Sequence, residues 1–105
     1  MTSVSTHVLD TATGAPASGI RVSLQREIDG GWQQIGEGET DEVGRVASLG
    51  LALDSGVYRL TFATGDAGND FYPEVVVVVD LDGSQDHYHI PLLLSPYGYT
   101  TYRGS

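Results

Sequence analysis

Three histidines, His7, His87 and His89, are the side chains of this 105-residue chain that could move a proton near neutral pH. An imidazole with an ordinary pKa of about 6.5 can act as acid or base there. His87 and His89 stand two positions apart, so a strand would put them on one face about 7 Å from each other. Arginine supplies every cation, and its fixed fork of donors suits ligand oxygens. The chain stops at Tyr102-Arg103-Gly104-Ser105, and three tyrosines, an arginine and a free carboxylate crowd its last nine positions. Slack ends are typically polar and free of aromatics, so this terminus is expected to be held in place. Each candidate also has a structural reading. A histidine in a strand is ordinarily a surface or hydrogen-bonded group, Arg45 reads as a turn-edge arginine paired with Asp41 or Glu42, and Trp32 as packing.

Other chemistries find less support. Zero cysteines exclude disulfides, thiolate metal sites and a cysteine nucleophile. Asp80-Leu81-Asp82-Gly83-Ser84-Gln85-Asp86 imitates the start of a calcium loop, but its sixth position is Gln85 where glycine is needed and its twelfth is Pro91 where a bidentate glutamate is needed. It reads as a solvated hairpin. Two histidines beside Arg45 make a poor zinc set, because the guanidinium opposes the cation.

The elements that must position these groups are strands. Val4, Thr6 and Val8 alternate with Ser5, His7 and Leu9 before a turn at Thr11-Ala12-Thr13-Gly14. Ile20, Val22, Leu24 and Ile28 form a half-buried run interrupted by Arg26. Asp29-Gly30-Gly31 is a hairpin signal, because glycine accepts the positive φ of tight turns. Trp32 to Glu39 returns antiparallel. Gly44-Arg45-Val46 is a short strand, and Ala47 to Asp54 a connection of unassigned form. Val57 to Ala63 alternates again. The five valines Val75 to Val79 suit a strand buried on both faces, or a subunit contact. His87 to Leu94 is a strand, and Tyr99 to Arg103 a last short one. About eight short strands at this spacing predict an all-β sandwich.

The length allows one domain, residues 1–105, with a single core. Fourteen carboxylates against five arginines leave a net charge of −9, which argues against nucleic acid or an anionic membrane as partner. Met1 to His7 has neither a basic start nor an apolar stretch, so neither a signal peptide nor a membrane span is expected and the location is expected to be cytoplasmic.

Ser5-Thr6-His7-Val8-Leu9-Asp10, Thr40-Asp41-Glu42-Val43-Gly44-Arg45-Val46 and the nineteen residues from His87 to Ser105 together resemble the 5-hydroxyisourate hydrolases, the transthyretin-related enzymes of urate breakdown. The resemblance runs from end to end and is most specific at the C-terminal stretch. It departs at Thr64-Gly65-Asp66-Ala67-Gly68-Asn69-Asp70, where the family's short helix is expected to be shortened or lost.

That resemblance implies two four-stranded sheets, one of which orders the strands bearing Arg45, His7, His89 and the tail. With strands about 4.8 Å apart, Arg45 and His89 would lie roughly 10 Å from each other with His7 between them. It also implies hydrolytic opening of the six-membered ring of 5-hydroxyisourate to 2-oxo-4-hydroxy-4-carboxy-5-ureidoimidazoline, with no metal or cofactor. His7 and His89 would share the acid and base work, a class of catalysis worth about 10²- to 10⁴-fold. Arg45 would hold substrate oxygens and the developing oxyanion. Arg103 would assist, and Tyr102, Gly104 and Ser105 would line the pocket, while His87 reads as a flanking residue. The implied assembly is a homotetramer, a dimer of dimers with sites between the dimers. The alternative is a non-catalytic transthyretin-like module that binds a small ligand or a protein.

Overall fold

The computed structural model describes residues 2–105. The first strand, β1 (Thr2–Asp10), alternates as its sequence predicts: Val4, Thr6 and Val8 are fully buried, while His7 and Leu9 are half-exposed on the other face. Nine more strand segments follow: β2 (Ala15–Pro16), β3 (Arg21–Ile28), β4 (Gly31–Glu39), β5 (Arg45–Leu53), β6 (Gly56–Phe62), β7 (Val75–Leu81), β8 (His87–His89), β9 (Leu92–Ser95) and β10 (Gly98–Thr101). The β3–β4 turn takes positive φ at Asp29 and Gly30, as its sequence required.

One sheet runs β4-β3-β6-β7, antiparallel throughout. The other has six segments in four ranks. β8 and β9 pair in parallel with the same side of β1 at one constant register, Ser5 opposite His89 and Val8 opposite Leu92. They are one strand interrupted at Ile90-Pro91, since proline has no N–H for the ladder. β5 and the two-residue β2 occupy the other side of β1, and β10 closes the far edge against β9. The two faces meet in a core of Val4, Val8, Tyr88, Ile90 and Leu92 against Val22, Leu24, Leu60, Phe62 and Leu81. The result is the expected all-β sandwich. A single 3₁₀ turn, Thr64–Ala67, stands where the family's helix was expected to be shortened or lost.

Three expectations are corrected. Ala47 to Asp54 is no loose connection, because β5 continues to Leu53; two register shifts against β1 break its alternation, which is why its inward positions do not follow a strict period of two. The valine run is not buried on both faces: β7 pairs only with β6, and Val76 and Val78 are 40% and 59% exposed. The last strand is Gly98–Thr101 and not Tyr99 to Arg103, and pairing resumes only at Gly104.

Candidate functional site

The outer face of the β1 sheet gathers the chemistry-bearing residues. On β1, Ser3, Ser5 and His7 project from the side opposite Val4, Thr6 and Val8. On β8, His87 and His89 flank the buried Tyr88. Arg45 begins β5 directly opposite His7. The order Arg45, His7, His89, tail is therefore as expected. The level differs: His89 stands beside Ser5 and not beside His7, because the parallel register offsets it by two residues.

His7 is oriented by the loop before β5. Its Nε2 lies 2.7 Å from the Val43 carbonyl oxygen. A carbonyl can only accept, so Nε2 carries the proton and the neutral ring keeps its lone pair on Nδ1. The loop itself is pinned by Asp41, whose Oδ1 accepts the backbone N–H groups of Val43 (3.0 Å) and Arg45 (2.9 Å). These bonds hold the Asp41 carboxyl below its ordinary pKa, the one from Arg45 contributing most. Asp41 thus takes the Arg45 main chain and not its guanidinium. Among the described residues the ion pairs are Arg21–Asp66 and Arg26–Asp54, so Arg45 and Arg103 have no carboxylate partner. Gly44 makes the tight loop possible: its φ is +80°, and a Cβ there would stand 2.5 Å from the Val8 carbonyl oxygen.

His89 is held from two sides. Its Nδ1 is 2.8 Å from Ser5 Oγ, and its carbonyl accepts the Gly104 N–H at 2.7 Å. A Cβ at Gly104 would lie 2.8 Å from His89 Cδ2, so the tail passes against the ring only because residue 104 has no side chain. Burial lowers the pKa of His89, helped by the charges of Arg45, His7 and His87. The neutral form of the ring is accordingly favoured. Arg103, Gly104 and Ser105 line a depression of about 250 Å³ together with Gln85, His87 and Tyr88. Tyr102 is more than half exposed and lines a neighbouring cleft with Arg103, beside β7. The terminus is thus held by its backbone, through β10 and Gly104, while Tyr97, Tyr99 and Tyr102 stay exposed.

Residues 4–104 match the model of the HIUase/Transthyretin family. The chain belongs to that family. Within it, this chain is 44% identical to the 5-hydroxyisourate hydrolase of Salmonella dublin over 97% of its own length and 80% of that protein's. It is 40% identical to the 5-hydroxyisourate hydrolase of Caulobacter vibrioides over the full length of both. Among solved structures of the HIUase/Transthyretin family, it superposes on Klebsiella pneumoniae 5-hydroxyisourate hydrolase with a TM-score of 0.87 at 36% identity, covering both chains completely. The transthyretin of Sparus aurata gives a TM-score of 0.88 at 33% identity, with 96% of this chain and 95% of the other covered.

The sequence reading named His7, Arg45, His89 and the tail; the fold brings His7, Arg45 and His89 to one face with Gly104 against His89, while Tyr102 lies in the cleft beside β7. It passed over Ser5, which touches both His87 and His89, and the Val43 carbonyl, which sets the tautomer of His7. Ser5 carried a signal: it shares the His7 face of β1, and that face looks along the strand of His87 and His89. The carbonyl carried none, since every residue has one.

Proposed function

We propose that this chain is a single hydrolase domain that opens the six-membered ring of 5-hydroxyisourate to give 2-oxo-4-hydroxy-4-carboxy-5-ureidoimidazoline. The observation that carries the reading is the outer face on which Arg45 stands opposite His7 while His89 is wedged between Ser5 and Gly104. Relatives named as 5-hydroxyisourate hydrolases, 40–44% identical over nearly the whole chain, support it.

Hydrolysis of an amide-like carbonyl needs a base for the attacking water, a donor for the oxyanion and an acid for the leaving nitrogen. His7 offers the Nδ1 lone pair, its orientation settled by Val43. That lone pair accepts one O–H of the attacking water and fixes its orientation, while His89 takes the other proton and later gives it to the leaving nitrogen. Arg45, unclaimed by any carboxylate, holds the substrate oxygens and the developing negative charge. Tyr102, Arg103, Gly104 and Ser105 complete the substrate's surroundings, and the Arg103 cation favours an electron-rich ring in a protein otherwise this acidic. The chemistry calls on no cofactor.

The active form in this reading is a homotetramer, a dimer of dimers, acting in the cytoplasm. Its support is the half-exposed Leu9 on the site face and the free, valine-rich edge of β7.

The test follows the absorbance of freshly generated 5-hydroxyisourate. We expect decay far above the uncatalysed rate, and a loss of about 10²-fold or more in His89→Asn and in Arg45→Ala with circular dichroism unchanged. Decay at the uncatalysed rate overturns the reading, and near-normal turnover in either variant removes that residue from the mechanism.

A further inference from the structure

Ser5 Oγ lies 2.7 Å from Nε2 of His87 and 2.8 Å from Nδ1 of His89, and Ser3 Oγ lies 2.5 Å from Nδ1 of His87. Ser5 is buried, while His87 is exposed at the rim of the depression it shares with Arg103 and Ser105. A hydroxyl has one proton. With both rings neutral, it can donate to one imidazole only and must accept from the other, so the chain has a direction.

Two directions are possible, and they give His89 opposite abilities. If His89 Nδ1–H donates to Ser5 and Ser5 donates to His87, His89 Nε2 is a bare lone pair and the ring is a base. If His87 Nε2–H donates to Ser5 and Ser5 donates to His89, His89 Nε2 bears the proton and the ring is an acid. Concerted movement of protons along the chain converts one into the other, without moving a side chain, when a proton also arrives at His89 Nε2 and one leaves His87 Nδ1.

We propose that Ser5 and His87 form a proton relay that carries the proton taken up by His89 outward and returns it later in the same turnover. This rests on the hydrolase reading above. An O–H bond of the attacking water breaks and its proton joins His89 Nε2, while the oxygen bonds the ring carbonyl. The His89 Nδ1 proton passes to Ser5 Oγ, and the Ser5 proton passes to His87 Nε2. His87 becomes the imidazolium, its Nδ1–H donating to Ser3. When the tetrahedral intermediate collapses, the C–N bond breaks, the nitrogen takes the proton from His89 Nε2, and the two relay shifts run backwards: His87 Nε2–H returns its proton to Ser5 Oγ, and Ser5 returns its own to His89 Nδ1. The positive charge thus rests on the exposed ring of His87 and not on His89, which is half-buried and faces the Arg45 guanidinium. Ser5 and His87 act through His89, which makes them positioning residues.

Three variants test the relay. Ser5→Ala removes the bridging hydroxyl and is expected to lower kcat about tenfold or more with KM within about twofold, while Ser5→Thr keeps a hydroxyl and restores most of the loss. His87→Ala leaves room at an exposed position, so added imidazole is expected to raise its kcat. A rate in Ser5→Ala equal to wild type, or His87→Ala unresponsive to imidazole and as active as wild type, overturns the relay. Nitrogen-15 spectra of the histidine rings supply a readout independent of turnover. Ser5→Ala should change the tautomer balance of His89, and an unchanged balance also overturns the proposal. If wild-type protein fails to accelerate 5-hydroxyisourate decay, the hydrolase reading falls; the ring spectra still report whether Ser5 couples the two imidazoles.

Discussion

Gly104 contributes no side chain to the site, and its value lies in that lack. The tail is tied to the His89 carbonyl by the Gly104 N–H, and a methyl group at residue 104 would collide with the imidazole it borders. Gly104→Ala is expected to displace the ring and to lower turnover about 10- to 100-fold, because errors of about an ångström at a reacting group cost up to that much. Its melting temperature should stay close to wild type; normal turnover would show that the ring's position tolerates the shift. His89 itself makes a second prediction. Burial and its cationic neighbours depress its pKa, so an NMR titration should place its midpoint below the ordinary value of about 6.5. The folded protein then binds this proton less readily than the unfolded chain does. The stabilising contribution is complete above about pH 6.5 and is lost as pH falls from there through the folded value. A midpoint at or above 6.5 would refute the assignment. A second acid-side loss belongs to Asp82, whose carboxylate accepts from the Ser84 hydroxyl, the Ser84 N–H and the Tyr88 hydroxyl and is lowered to about 2. Its contribution is present above the ordinary carboxylate range and lost as pH falls through about 2.

At the scale of elements, the site depends on the interruption between β8 and β9. Proline at 91 cannot donate to β1, and the neighbouring Ile90 carbonyl is satisfied by a side chain: the fully buried Thr6 hydroxyl donates to it at 2.6 Å. Thr6→Val keeps the shape of the residue and removes that donor. A buried carbonyl left without a partner costs about 1–3 kcal/mol, and urea unfolding should show a loss of that size. Stability equal to wild type would mean that the carbonyl finds another donor. Much of this scale was legible in the sequence. The alternation of β1 put His7 and Thr6 on opposite faces, and Asp29-Gly30-Gly31 announced its turn. Strand β5 was not, because Ala47, Gly50 and Ala52 carry little strand signal and the register shifts hide its period. The valine run misled for a related reason. Hydrophobicity identifies a strand that prefers cover, but it does not say whether a sheet or another subunit supplies it.

At the scale of the molecule, the chain carries a net charge of −9 and leaves a seven-residue strand, apolar but for Asp80, at an open sheet edge. Such an edge is a template for pairing with another chain. Sedimentation is expected to find an assembly larger than the 11.2 kDa chain. Val78→Lys, which puts a charge on the exposed side of β7, should shift it toward smaller species. An active monomer would remove the tetramer from the reading.

Alternation and side-chain type are local properties, so the order of residues alone was enough to read a sandwich of short strands and the side chains that could do chemistry. It also marked the tail as more than a loose end. Which groups meet followed from the folded arrangement. The parallel register of β1 with β8 sets Ser5, not His7, beside His89; the Asp41 loop turns the Val43 carbonyl onto His7; and the tail brings a glycine against an imidazole. Each of these is a pairing between residues more than thirty positions apart or closer ones joined through a fold-dependent turn. No local pattern in the chain encodes such a pairing, because strand register is chosen by the packing of whole faces against the core.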